Sequence, residues 1–164
     1  MIQIDALPSE RWEEARELRL KALQTDPSAF GSAFEEEQNM PKEEWQRRMK
    51  SAIFALDSDC NKPVGTITFV FGDHVKSKHI AKIFAVYVDP AYRGRGIGSQ
   101  LFRKALEAIQ KNKEILKIQL MVNSEQQAAV ALYKSMGFET VGRLSKEIKV
   151  GERYYDELVM EKLL

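Results

Sequence analysis

Apolar and polar positions follow a period of two in some stretches and of three to four in others, and the switches between the two lay out the elements. Ile2 and Ile4 alternate with polar neighbours and predict a short first strand. Trp12, Ala15, Leu18, Ala22 and Leu23 then recur at helical spacing, with Ser9 as the expected cap. Arg19 interrupts that stripe, and Asp26-Pro27 should end the helix. A second, more polar helix is expected after Pro41, which suits the first helical position, with Trp45 and Met49 four residues apart. Residues 53–56 and 64–71 read as strands joined by a turn around Asn61, and Gly72-Asp73 leads into a strand over 80–88. Leu101, Phe102, Ala105, Leu106 and Ile109 mark a helix, and a strand over 116–122 should run parallel to 80–88 because that helix lies between them. Ser124 and Gln127 read as a capping box for a helix that stops at Gly137. Residues 138–150 and 152–163 predict a final hairpin turning near Gly151. The resulting order, β-α-α-β-β-β-α-β-α-β-β, belongs to the mixed α/β (α+β) class, with no internal repeat and no linker within residues 1–164.

Composition narrows the partners. The chain has 164 residues, enough for one domain with a core of its own, and 44% of them are apolar. Lys and Arg total 25 against 24 Asp and Glu, so no global field favours nucleic acid or an acidic membrane, and any positive site must be local. The single cysteine, Cys60, excludes an internal disulfide and a cysteine-based zinc cluster, and its turn-like setting shows nothing to activate a thiol. No signal peptide or membrane-span pattern is visible, so the expected location is cytoplasmic.

The chemistry concentrates in Arg93-Gly94-Arg95-Gly96-Ile97-Gly98-Ser99, between the apolar run 83–88 and a helix. Alternating glycines permit positive φ angles and let successive N–H groups converge, and the helix start adds unpaired N–H groups and a positive dipole end. This is a cradle for a polyanion, and the pyrophosphate of coenzyme A, of NAD or of a nucleotide would each suit it. The Walker pattern requires Gly-Lys-Ser/Thr, but no lysine precedes Ser99. The dinucleotide fingerprint requires a third glycine where Ser99 stands, which disfavours NAD.

Arg93-x-x-Gly96-x-Gly98 resembles the Gln/Arg-x-x-Gly-x-Gly/Ala signature of the GCN5-related N-acetyltransferases. A second block, Asn123 to Phe138, is similar to that family's later motif, in which Ala-x-x-Leu-Tyr (here Ala129 to Tyr133) lies on a helix ending at Gly-Phe (Gly137-Phe138). With the order of elements, the resemblance covers nearly the whole chain. It implies a mixed central sheet with splayed fourth and fifth strands and flanking helices. It also implies acetyl-CoA as acetyl donor, no metal, and direct transfer to a primary amine, on a small molecule or a protein. A non-catalytic acyl-CoA-binding sensor with the same fold is the alternative. No nucleic-acid or membrane partner is expected, and a homodimer through the C-terminal strands would protect an open sheet edge.

For individual residues, the resemblance assigns Arg93, Gly94, Arg95, Gly96, Ile97, Gly98 and Ser99 to the pyrophosphate. Val86 and Val88 would offer their backbone to the pantetheine amides, as an added strand would. Asn123 and Gln126 are further cofactor candidates that also suit helix capping. Tyr133 is the expected proton donor to the departing thiolate, although a tyrosine there also suits a core. Phe34, Glu35, Glu36 and Tyr155 are expected beside the acceptor, with Glu37, Phe30 and Tyr154 near them. The base has no candidate in the usual strands, because Lys82 and Met121 stand where relatives often carry glutamate.

Overall fold

A computed structural model describes all 164 residues. Seven strands form one sheet: β1 (Ile2–Asp5), β2 (Ala52–Asp57), β3 (Lys62–Phe71), β4 (Ile80–Val88), β5 (Lys117–Asn123), β6 (Glu139–Val150) and β7 (Arg153–Leu163), in the spatial order β1-β2-β3-β4-β5-β7-β6. All neighbours are antiparallel except β4 and β5, which run parallel as the intervening helix requires. The helices are α1 (Trp12–Thr25), the single turn α2 (Phe34–Glu37), α3 (Lys42–Met49), α4 (Ile97–Gln110) and α5 (Gln127–Ser135). None is long and apolar enough to cross a membrane.

Strand alternation sends side chains to two cores. Ile53 and Ala55 of β2 join Ile67, Ile83, Ile118 and Leu120 under α4 and α5. Phe54 and Leu56, one residue out of phase, join Leu18, Ala22, Leu23, Trp45 and Met49 under α1 and α3. That two-sided cover explains why residues 53–56 read as an unbroken apolar run. Phe102 of α4 is fully enclosed at the centre of the first core, its ring centroid 5.0 Å from that of Tyr133 and 5.9 Å from that of Phe138.

Several local expectations change. Ser9 caps no helix: its hydroxyl lies 3.2 Å from the Glu10 carboxylate, and a 3-10 turn over Ser9–Arg11 precedes α1. Pro41 stands one position outside α3 rather than within it. Ser124 and Gln127 form no capping box, because Asn123 Oδ1 accepts the Glu125 N–H at 2.9 Å and starts the turn itself. Gln127 Nε2 instead reaches back to the Ser124 carbonyl.

The sheet opens in its middle. β4 and β5 share only the pairs Ile80–Lys117, Ala81–Ile118 and Lys82–Gln119, whereas β5 pairs with β7 along its whole length. Past Lys82 the two strands part. In the diverging segment β4 carries an extra residue against β3, with Ala85 at φ +54°, and neither Ala85 nor Val86 has a register partner on either neighbour.

Because Phe102 holds both the core and the ring of Tyr133, Phe102→Ala should cost about 3–5 kcal/mol of stability. A urea titration would show this as a lowered midpoint with an unchanged slope.

Candidate active site

Three cavities line up along the parted strands. The first is a groove between Val86–Val88 of β4, the glycine loop and the face of α5 that carries Gln126, Ala129, Leu132 and Tyr133. The second, a central cleft of about 410 Å³, lies between Lys82–Val86 and Gln119–Val122, closed by Phe30 to Ser32 and by Glu157 and Val159 of β7. Consecutive residues line it from both strands, which happens only where strands present their edges rather than a face. The third, of about 340 Å³, lies beyond the bulge, under Arg19, Glu37, Trp45 and Arg48.

The glycine loop is built to hold negative charge. Gly94 and Gly96 adopt φ of +76° and +74°, angles that cost other residues about 1–2 kcal/mol. A Cβ on either would touch no protein atom, so the space above them is open to a ligand. None of the N–H groups from Gly94 to Ser99 has a backbone partner; the first inside the helix is Gln100 N–H, bound to the Gly96 carbonyl at 3.1 Å. Gly94, Gly96, Ile97, Gly98 and Ser99 line the groove with the start of α4 behind them, an arrangement that fits a pyrophosphate.

The two arginines are less mobile than their sequence implies. Arg93 Nε donates to the Val88 carbonyl at 2.9 Å and its Nη2 to Asp26, which ties the loop to the end of α1. Arg95 bonds the Ala91 carbonyl and lies over Tyr92, outside the groove lining. Asn123 is fully committed to structure: its Nδ2 donates to the Ser28 carbonyl at 3.1 Å while its Oδ1 caps the following turn. Gln126 lines both groove and cleft and makes no side-chain hydrogen bond within the protein.

Tyr133 also lines both spaces, although only 6% of its surface is exposed. Burial pushes its hydroxyl well above the ordinary phenol range, so it carries a proton at every working pH. Facing the cleft from β7 is Glu157, a half-buried carboxylate with no hydrogen-bond or ion-pair partner. Burial raises its pKa, and the charge of Glu147, from the bulged part of β6, adds to the rise. The alternation of β7 puts Glu157 on the face of Tyr155 and Val159, but nothing in an amphipathic strand distinguishes it until the cleft is seen.

The acceptor candidates separate. Phe34, Glu35 and Glu36 border a different cavity, against Glu147–Gly151 of the hairpin, and Glu36 accepts the Ala33 N–H at 2.7 Å. Tyr155 lies under Arg153, whose guanidinium carbon is 4.7 Å from its ring centre, and Tyr154 lies beneath Lys146 and Lys149. Neither tyrosine lines the cleft. Glu37 turns inward: it is 2% exposed, paired with Arg19 through two contacts of 2.9 Å and with Arg48 at 3.1 Å. Burial alone would raise its pKa, but the two arginines outweigh that and hold the carboxyl below its ordinary value. Arg19, the residue that interrupts the apolar stripe of α1, therefore stands at the cleft with its guanidinium 4.7 Å from the Phe30 ring centre.

Comparison with known proteins gives this architecture its relatives. Residues 12–138 match the model of the acetyltransferase (GNAT) family. An uncharacterised N-acetyltransferase of Methanocaldococcus jannaschii is 34% identical over 110 residues, 60% of this chain and 47% of the relative. The L-amino acid N-acetyltransferase AaaT of Escherichia coli is 27% identical over 125 residues, 73% of this chain and 75% of that one. The match thus spans about half of the archaeal relative and three quarters of the bacterial one. The structure of yncA from Salmonella typhimurium, which contains its cofactor acetyl-CoA, superposes with a TM-score of 0.85 at 14% identity, over 100% of this chain and 94% of that one. The parted strands β4 and β5, the glycine cradle and α5 all fall within the matched segment, and the chain belongs to the GNAT acetyltransferase family.

Proposed function

We propose that this protein is an N-acetyltransferase that moves the acetyl group of acetyl-CoA directly to a primary amine. The observation that carries the reading is the position of Tyr133, shared by the groove that suits a coenzyme and the cleft that suits an acceptor. Acetyl-CoA supplies an activated acyl thioester; the protein's own groups bind it and move protons. N–H groups from Gly94 to Ser99 hold the pyrophosphate, and the edge of β4 at Val86 and Val88 receives the pantetheine amides. Backbone at the Ala85–Val86 bulge lies beside the reacting carbonyl, where a free N–H stabilises the charge that develops on its oxygen.

Three proton transfers remain. Glu157 accepts the first proton of the acceptor ammonium, so that the nitrogen lone pair attacks the acyl carbon. Tyr133 donates its hydroxyl proton to the sulfur as the carbon–sulfur bond breaks, so that a thiol leaves instead of a thiolate, and the second proton that the nitrogen sheds as the amide forms restores the phenol. A raised pKa suits both groups, keeping the phenol protonated and making the carboxylate a stronger base. Following thiol release across a panel of amines tests the reading; acetyl-CoA binding with no release from any amine would make the protein a sensor instead.

Three variants probe the parts. Gly96→Glu places a side chain and a negative charge in the cradle at a φ of +74°, and calorimetry should show acetyl-CoA affinity collapsing while the circular dichroism of the fold persists. Tyr133→Phe keeps the ring packing and removes the donor, so kcat should fall by about 10²–10⁴-fold with acetyl-CoA affinity near wild type.

Glu157 faces Arg19, Lys82 and Tyr133 across the cleft and feels Glu147 from β6. As a base it works only when deprotonated, so kcat/KM should rise with pH through a value above the ordinary glutamate pKa. In Glu157→Gln that limb should disappear and the rate should drop on the plateau. A wild-type profile with its acid limb intact in the variant would remove Glu157 from the mechanism.

A further inference from the structure

The central cleft is lined by charges of both signs. Glu157 of β7 borders it with no cation paired to it, and Arg19 of α1 borders it as well. Two N–H groups of Arg19 are taken by Glu37, a fork-to-fork pair that fixes the plane of the guanidinium. Its Nη1 makes no hydrogen bond, and among buried side-chain polar atoms it is alone in that. Retained donors of this kind call for a partner. Behind Arg19 the inner cavity is also lined by Arg47 and Arg48, which share Glu44, with Arg48 also reaching Glu37. Lys82 adds a further cation to the rim of the cleft.

We infer that the acceptor is a zwitterion, an amino-acid-like molecule whose primary amine meets Glu157 while a carboxylate a few bonds away is held by the free edge of Arg19. The inference rests on the acetyl-transfer reading above and names its substrate class. A polyamine would carry its second cation toward Arg19 and Lys82, the two cations that line the cleft. A plain alkylamine would leave the spare donors of Arg19 unmatched. A carboxylate answers both, because a guanidinium with one edge already bonded still offers a second edge of matching geometry. Glu35 and Glu36, the acidic groups that would draw in a polycation, border another cavity.

The test compares each amino acid with its own carboxamide, and both with spermidine, by kcat/KM for thiol release from acetyl-CoA on the pH plateau. The free acid should exceed the carboxamide by at least about tenfold, the scale of one charge-assisted hydrogen bond, with spermidine below both. Arg19→Lys keeps the charge that Glu37 needs but loses the second edge. KM for the acid should rise several-fold while kcat and the KM values of the carboxamide and of acetyl-CoA hold. Arg48→Gln, at a more exposed position, should reduce the preference for the acid by lowering the positive charge of the inner cavity, and it decides the question should Arg19→Lys not fold. Carboxamides or spermidine acetylated as well as the acids would overturn the inference and leave acetyl transfer standing. No thiol release from any amine, with acetyl-CoA still bound, would overturn both.

Discussion

Everything about the site follows from the parting of β4 and β5 after three shared pairs. A parallel strand pair that stays together hides its backbone groups, but one that separates leaves two rows of N–H and C=O groups in search of partners. The protein uses that opening twice. On the α5 side the free edge of β4 becomes the wall of a groove that leads to the glycine loop. On the α1 side both edges become the walls of a cleft. The bulge at Ala85 lies between the two, where a residue held at φ +54° turns the backbone out of register with β3. The parting survives because each strand is secured elsewhere: β5 by seven pairs to β7, and β4 by its pairs to β3 on both sides of the bulge.

Charged contacts hold the helices at the mouth of this opening. Lys21 pairs with Asp89 and Arg93 with Asp26, so the C-terminal half of α1 is tied to the end of β4 and to the loop that starts the cradle. Exposed pairs of this kind contribute little stability one at a time, and their effect here is on position. The pair of Arg19 with Glu37 is different, because Glu37 is enclosed and shared between two arginines. Removing either partner would leave a buried charge uncompensated. The same contact that stabilises α1 against α2 therefore also aims the Arg19 guanidinium at the cleft.

Cradle and cleft obey different logic. In the cradle, the groups suited to negative charge are backbone N–H groups, and Gly94 and Gly96 are required because of their angles. Arg93 and Arg95, which look like mobile phosphate ligands, spend their hydrogen bonds on Val88, Asp26 and Ala91 and keep the loop in shape. In the cleft, charge is held by side chains from α1 and β7. Those two elements come together only because β7 is inserted between β5 and β6.

The sequence by itself determined the order of the strands and of the longer helices and the unusual backbone angles of the glycine loop, because each rests on local rules. A period of two or of 3.6 reports which face of an element is buried, and a glycine reports a backbone angle, whatever the rest of the chain does. Tertiary structure alone decided which charged residues reach the site. Glu35, Glu36 and Glu37 are successive residues on one helical turn, each rotated about 100° from the last, and the sequence does not say which of them points inward. Only the approach of α1 and α3 made it Glu37, through Arg19 and Arg48. Asn123 reads as a ligand or a cap, and its contact with Ser28, 95 residues away, makes it a structural clasp. Glu157 is one polar position among many on an amphipathic strand, and it becomes a candidate base because β7 runs beside β5 where β4 has turned away. Pairings across such separations depend on how the elements pack, and the pattern along one strand or helix carries no record of what the opposite element will bring.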